Sequence, residues 1–200
     1  MTGSNARTLL SYDERVEAYV DGTSQEVSGP AKDWLDEALQ GLPPTARLLE
    51  LGSAFGRDAA YIQSLGYLLD CTDAVPGFVE LLRQRGFSAR LLNLLTDELS
   101  GPYDLIIANA VLLHFNQAEF SQVLAKIKAA LRSGGRFAFS LKAGQGEGWS
   151  TEKIGAPRYF CYWTPQDLES PLKAAGFSDW KIAQAQTTRA HADWLFVIAQ

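Results

Sequence analysis

The chain has 200 residues, 46% hydrophobic and 20% charged, which suits one globular core and is too short for two full catalytic domains. Its net charge of −5 argues against nucleic acid as a main partner, because phosphate binding needs a basic face. No run approaches the roughly 18 apolar residues of a membrane span, the amino terminus is polar, and Cys71 and Cys161 lack metal-ligand spacing. The expectations are a cytoplasmic location, reduced structural thiols and no metal site.

In chain order, Ser11 to Val20 and Ala31 to Leu39 read as helices, the second opening after Gly29-Pro30 and closing at Gly41. Residues 1–44 form a helical cap segment, and 45–200 form the core of the same single domain. The core alternates: strand Arg47 to Leu51, helix Gly56 to Leu65, strand Tyr67 to Thr72, helix Pro76 to Arg85, strands Ala89 to Leu92 and Tyr103 to Ala108, helix Gln117 to Leu131, strand Arg136 to Leu141. Strands separated by helices on short loops predict an α/β fold with a parallel sheet. A glycine-rich loop, Lys142 to Trp149, follows. Thr164-Pro165 then opens a helix to Ala175, and two β-rich runs, Phe177 to Thr187 and Asp193 to Ala199, predict a terminal antiparallel hairpin.

The stretch Leu48 to Gly56, L-L-E-L-G-S-A-F-G, ends an apolar run in an acid and a small-residue loop, which brings bare backbone to a ligand. Asp73 closes the next apolar run, 21 positions after Gly52. In a doubly wound sheet the first strand-to-helix turn grips the middle of the ligand and an acid ending the second strand takes the ribose hydroxyls, so an adenosine-type ligand is expected. The dinucleotide fingerprint G-x-G-x-x-G fits poorly, since its three glycine positions hold Gly52, Ala54 and Arg57.

The spacing that fits is G-x-[GA]-x-G, and Glu50-Leu-Gly52-Ser-Ala54-Phe-Gly56-Arg57-Asp58 resembles motif I of the class I S-adenosylmethionine (SAM) dependent methyltransferases. Gly56-Arg57-Asp58 is similar to the form in small-molecule members of methyltransferase type 11/12 or the tellurite-resistance-like group. Asp104 to Ala110 resembles motif IV, and Leu131-Arg-Ser-Gly-Gly135 resembles the L-x-P-G-G stretch with Ser133 for proline. The departure is Ala54, where the family usually has glycine. The likeness covers about residues 45 to 200. It implies a Rossmann-like sheet of seven strands, mostly parallel, with the C-terminal antiparallel hairpin and helices on both faces.

The resemblance implies SAM as cofactor. It places Glu50, Gly52, Ser53, Ala54 and Gly56 at the methionine end, Asp73 and Ala74 at the ribose, Asn93 and Leu94 at the adenine, and Asn109 and Ala110 beside the transferring methyl. Arg57 faces the cofactor carboxylate or pairs with Asp58 or Glu50; Asp58 lies in the cofactor motif or caps the helix that follows. Tyr12 and Tyr19, seven apart, share a helix face and lie over the cofactor and acceptor or serve as packing. Methyl transfer needs alignment and desolvation more than a triad. His114, just past the fourth strand, is the candidate base, against a core histidine bonded to backbone; His191 is a poorer one. The acceptor, a small or peptide-like molecule, would be lined by Tyr12, Trp149, Arg158, Tyr159 and Tyr162 under the glycine-rich loop as a cover. A monomer or homodimer is expected. Two other readings stand beside this one: a non-catalytic module binding SAM or S-adenosylhomocysteine, and an NAD(P)-dependent oxidoreductase, disfavoured by Arg57 and the terminal hairpin.

Overall fold

The computed structural model describes residues 3–186 and 193–200. The amino-terminal segment makes α1 (Ser4–Asp13), α2 (Val16–Asp21) and α3 (Gly29–Leu39). The core follows with β1 (Leu48–Leu51), α4 (Arg57–Ser64), β2 (Leu69–Asp73), α5 (Pro76–Gln84), β3 (Ala89–Leu91) and β4 (Tyr103–Ala108). After a 3-10 turn at Leu112–His114 come α6 (Gln117–Ala130), β5 (Leu131–Lys142), β6 (Glu147–Ser150), β7 (Arg158–Cys161), α7 (Pro165–Ala174), β8 (Trp180–Gln186) and β9 (Asp193–Ala199).

Seven strands form one sheet in the order β3-β2-β1-β4-β5-β9-β8, with β9 antiparallel to both β5 and β8. The predicted α/β fold, with seven strands and an antiparallel end, is the one observed. β1 is buried at all four residues, as a central parallel strand covered on both faces must be. One face packs Trp34 and Leu35 of α3, Ile62 of α4 and Leu82 of α5; the other packs Phe120 and Leu124 of α6 and Leu168 and Leu172 of α7. Capping boxes start both helices of that second face, Asn116 with Glu119 for α6 and Thr164 with Asp167 for α7. Strand order reverses between β1 and β4, so a crevice opens at their carboxyl ends.

Three expectations need correction. The first helix begins at Ser4, and a break at Glu14 and Arg15 puts Tyr12 on α1 and Tyr19 on α2 rather than on one helix face. The edge-to-face pair of their rings, 5.4 Å apart, comes from the bend between the helices. Regular pairing of β5 with β4 starts at Arg136, as expected, but the strand reaches back to Leu131 across a register shift at the Ser-Gly-Gly stretch. The glycine-rich segment after β5 is no free cover. Its second half is β6, paired antiparallel with β7, with Trp149 opposite Tyr159 and their rings 5.7 Å apart. Cross-strand aromatic pairing outweighs the entropy of three glycines in that segment.

Candidate active site

The β1–α4 turn is built around three left-handed residues, Gly52 at φ +67°, Ala54 at φ +48° and Gly56 at φ +85°. A side chain at Gly52 would place its Cβ 2.4 Å from Val111 Cγ2, so this backbone and the segment that follows β4 meet there with no room for a methyl group. Asp73 ties this turn to the end of β2. Its Oδ2 accepts from the Ala54 N–H and its Oδ1 from the Val75 N–H, both at 2.9 Å. Burial pushes its carboxyl up to about 6, against the pull of the Val75, Ala54 and Ala74 N–H groups. The remaining lone pairs of Asp73 are available to a ligand.

Asp73 opens into a cavity of about 700 Å³, counting space open to solvent. Of the residues predicted for the cofactor, Gly52, Ala54, Asp73, Ala74, Asn93, Leu94, Asn109, Ala110 and Tyr19 line it, and so do Tyr12 and His114. Glu50, Ser53, Gly56, Arg57 and Asp58 are not on the lining. Arg57 pairs with Asp58 at 2.6 Å, the alternative partner considered for it, and the side chain of Asp58 caps nothing at the start of α4. Asp58 instead accepts from Asn109 Nδ2 (2.6 Å); Asn109 Oδ1 accepts from the Ser140 hydroxyl (2.6 Å), and Ser140 Oγ accepts from the Ala110 N–H (2.9 Å). This chain of bonds fixes Ala110, itself left-handed at φ +59°, at the end of β4. Glu50 is buried with Oε2 unpartnered, and burial together with the Asp58 charge pushes its carboxyl up to about 8.

The far wall is aromatic. Tyr12 and Tyr19 pack on Phe78 with centroids 6.1 and 5.2 Å away. His114 Nδ1 lies 2.6 Å from the Tyr159 carbonyl oxygen, which can only accept, so Nδ1 carries the proton. Nε2 is then the free lone pair and accepts from the Tyr12 hydroxyl at 2.9 Å. Arg158 Nη1 donates to the same hydroxyl oxygen at 3.2 Å. Burial pushes His114 down to about 3, against the Tyr159 carbonyl, and Arg158, Lys142 and Lys153 lower it further. The imidazole is therefore neutral at physiological pH, as a proton acceptor must be.

A model of the methyltransferase domain family matches residues 49–137. The matched stretch runs from β1 into β5 and includes the turn held by Asp73. Among curated proteins none matches the sequence. Among solved structures, a complex titled DhpI-SAM-HEP is similar over 100% of this chain and 99% of its own, with 17% identity and a TM-score of 0.75. The 1,6-didemethyltoxoflavin-N1-methyltransferase of Burkholderia thailandensis, with its acceptor and S-adenosylhomocysteine bound, shares 24% identity over 98% of this chain and 88% of its own, with a TM-score of 0.68. The CcbJ methyltransferase of Streptomyces caelestis shares 16% identity over 95% of this chain and 97% of its own, with a TM-score of 0.71.

The predicted acceptor residues divide. Tyr12 lines the cavity and Arg158 touches its hydroxyl, whereas Trp149, Tyr159 and Tyr162 are not on the lining. Trp149 is 46% exposed under the Arg7 guanidinium, Tyr159 bonds Glu147 through its hydroxyl, and Tyr162 packs on Phe160. Only the carbonyl of Tyr159 reaches the site. Sequence reasoning missed Asn5, Thr8 and Leu9 of α1, and also Phe78, Val111 and Phe115. A helix started at Ser4 instead of Ser11 would have found the first three, which recur at helical spacing with Tyr12. His191 lies outside the described residues. Among the described residues no cluster of His, Cys, Asp and Glu is arranged to hold a metal, and no helix is long and apolar enough to cross a membrane.

Proposed function

We propose that the protein transfers the methyl group of SAM to an O or N atom of a small or peptide-like acceptor and releases S-adenosylhomocysteine. The observation that carries this reading is that the turn held by Asp73 and the Tyr12–His114 pair face one cavity. The solved neighbours support a small acceptor, one being titled a didemethyltoxoflavin N1-methyltransferase and another a glycopeptide N-methyltransferase. The whole chain would act as one catalytic domain, as a monomer or homodimer in the cytoplasm.

In this reading Asp73 accepts the ribose hydroxyls, Ala74, Asn93 and Leu94 surround the adenosine, and Gly52 and Ala54 leave room for the methionine portion. Tyr19 covers the cofactor, and Asn109 and Ala110 border the methyl group. Glu50, Ser53, Gly56, Arg57 and Asp58 support that wall from behind. The acceptor lone pair attacks the methyl carbon, the carbon–sulfur bond breaks, and its electrons stay on sulfur as the thioether forms. The acceptor gains the positive charge and must lose a proton, which passes through the Tyr12 hydroxyl to His114 Nε2.

Methyl-labelled SAM with a panel of hydroxyl and amine acceptors tests the reading. With the acceptor found, His114→Ala and Tyr12→Phe are expected to lower kcat about 100-fold while SAM affinity changes little. Near-full turnover in both would remove the base role, and binding of NADH without SAM would remove the whole reading.

Asp73 also predicts two opposite pH trends. Its folded-state value of about 6 lies above the ordinary 3.8, so the folded chain without ligand holds a proton that the unfolded chain gives up. That stabilising contribution is complete below pH 3.8 and is lost as pH rises through 6. SAM affinity runs the other way, because the ribose needs the ionised carboxylate: it should fall about fivefold between pH 6 and 5. Thermal unfolding without ligand and calorimetric titration with SAM, both at pH 5 and 7.5, read the two trends separately.

A further inference from the structure

We propose that the methyl acceptor carries an anionic group, carboxylate or phosphate-like, that docks on the Arg158 guanidinium beside Tyr12. This rests on the methyltransfer reading above and names the substrate class of that site.

Arg158 is only 5% exposed, yet among the described residues no carboxylate lies within ion-pair distance of it. Its described hydrogen-bond acceptors are the Tyr12 hydroxyl oxygen and the Glu152 carbonyl, and its buried Nε has no partner. A buried guanidinium with neutral partners and an orphaned N–H is costly for a fold to keep. That cost is concentrated one hydroxyl group behind the cavity wall, since the oxygen that Arg158 touches belongs to a lining residue.

A second observation is independent of Arg158. Lys142 stands over the ring of Phe160 at 4.3 Å, the same ring that Arg158 approaches at 5.0 Å, and no carboxylate pairs with Lys142 either. Lys153 lies over the ring of Tyr19 at 3.9 Å. Of the acidic groups nearby, Glu147 is engaged by Tyr159, and Glu152 influences Lys142 but offers Arg158 only its backbone carbonyl. Arg158, Lys142 and Lys153 all act on His114, so positive charge gathers around the Tyr12–His114 pair in a chain whose net charge is −5. Such an arrangement attracts anions and suits the two-pronged bonding of a guanidinium to carboxylate or phosphate oxygens.

The same anion would serve the chemistry. Arg158, Lys142 and Lys153 all work against a proton on His114. A negative charge placed among them offsets that repulsion, so His114 becomes a better proton acceptor when the acceptor is in place.

The test uses the full chain saturated with S-adenosylhomocysteine and titrated with inorganic phosphate, acetate and, as a neutral control, acetamide. In wild type, phosphate or acetate is expected to bind and acetamide not; Arg158→Gln should weaken that binding at least tenfold, and Lys142→Gln about threefold. Phosphate without acetate assigns a phosphate-like acceptor group, and acetate without phosphate a carboxylate. Anion binding that is absent in wild type, or equal in wild type and both variants, overturns the proposal. If Arg158→Gln does not fold, Lys142→Gln alone decides by the same criterion. Should S-adenosylhomocysteine itself fail to bind, the methyltransfer reading falls, and the comparison of wild type with the variants is made on the unloaded chain.

Discussion

Replacing Asp73 with alanine is expected to weaken SAM binding roughly 100-fold or more, since each hydrogen bond to a charged group is worth about 1.5–3 kcal/mol and the ribose offers two. The side chain has a second task, because it also receives the Ala54 and Val75 N–H groups and so sets the shape of the turn. Stability should suffer less than affinity. The variant leaves two amides without their acceptor, but it also removes a buried carboxyl whose raised pKa shows that the folded chain bears its charge at a cost. Asp73→Asn separates the two tasks: its amide oxygen can replace one acceptor oxygen, while its NH₂ confronts an N–H donor. Calorimetric titration with SAM and S-adenosylhomocysteine, alongside thermal unfolding, checks the expectation. Wild-type affinity in the alanine variant would show that the ribose is held elsewhere.

The second large effect is at Gly52. Gly52→Ala is expected to destabilise the chain by about 2–5 kcal/mol, from left-handed strain of about 1–2 and overpacking of about 1–3. The overpacking has a single identified source, Val111 Cγ2 at 2.4 Å from the added Cβ. A double variant with Val111→Ala should therefore recover the packing part and leave the strain, a coupling that chemical denaturation of the four proteins in the cycle measures. If the double variant is no more stable than Gly52→Ala, the strain of φ +67° is the whole cost. Ala54 shows that such strain is tolerated nearby, since it is left-handed as well.

The sheet was legible because its signals are local. Runs such as Leu48–Leu51 and Tyr103–Ala108 are apolar and buried on both faces, and Gly or Pro marks their ends. The cavity wall from Gly52 to Asp73 was legible for the same reason, since one strand-turn-helix unit and the next strand end supply it. The wall across from it was legible only in part: Tyr12 and His114 were expected at the site, but the bonds that join them were not. Tyr12, His114 and the Tyr159 carbonyl come from three distant parts of the chain, and hydrogen bonds of 2.9 and 2.6 Å join them. No spacing rule encodes such a meeting. Trp149 and Tyr162 misled the reading because aromatic residues near glycines look alike whether they line a pocket or pair across a hairpin. Arg57 was ambiguous for a related reason, as its neighbour Asp58 offers a partner as good as any ligand.

The amino-terminal helix has a consequence for how the molecule is made. Thr8 accepts from the Tyr159 N–H and Ser11 donates to the Pro157 carbonyl, contacts separated by 151 and 146 residues. During synthesis this helix waits for β7, about 150 residues later, before these two contacts can form. The parallel strands from β1 to β5 can assemble in the interval, so the Asp73 turn is complete while α1 has only part of its contacts, among them Asp13 with the Gly77 N–H and Asn5 with Asn93. Contacts of such long range are slow to form. A stalled or truncated chain ending before β7 would keep the Asp73 turn but lack every partner that holds α1 to that strand.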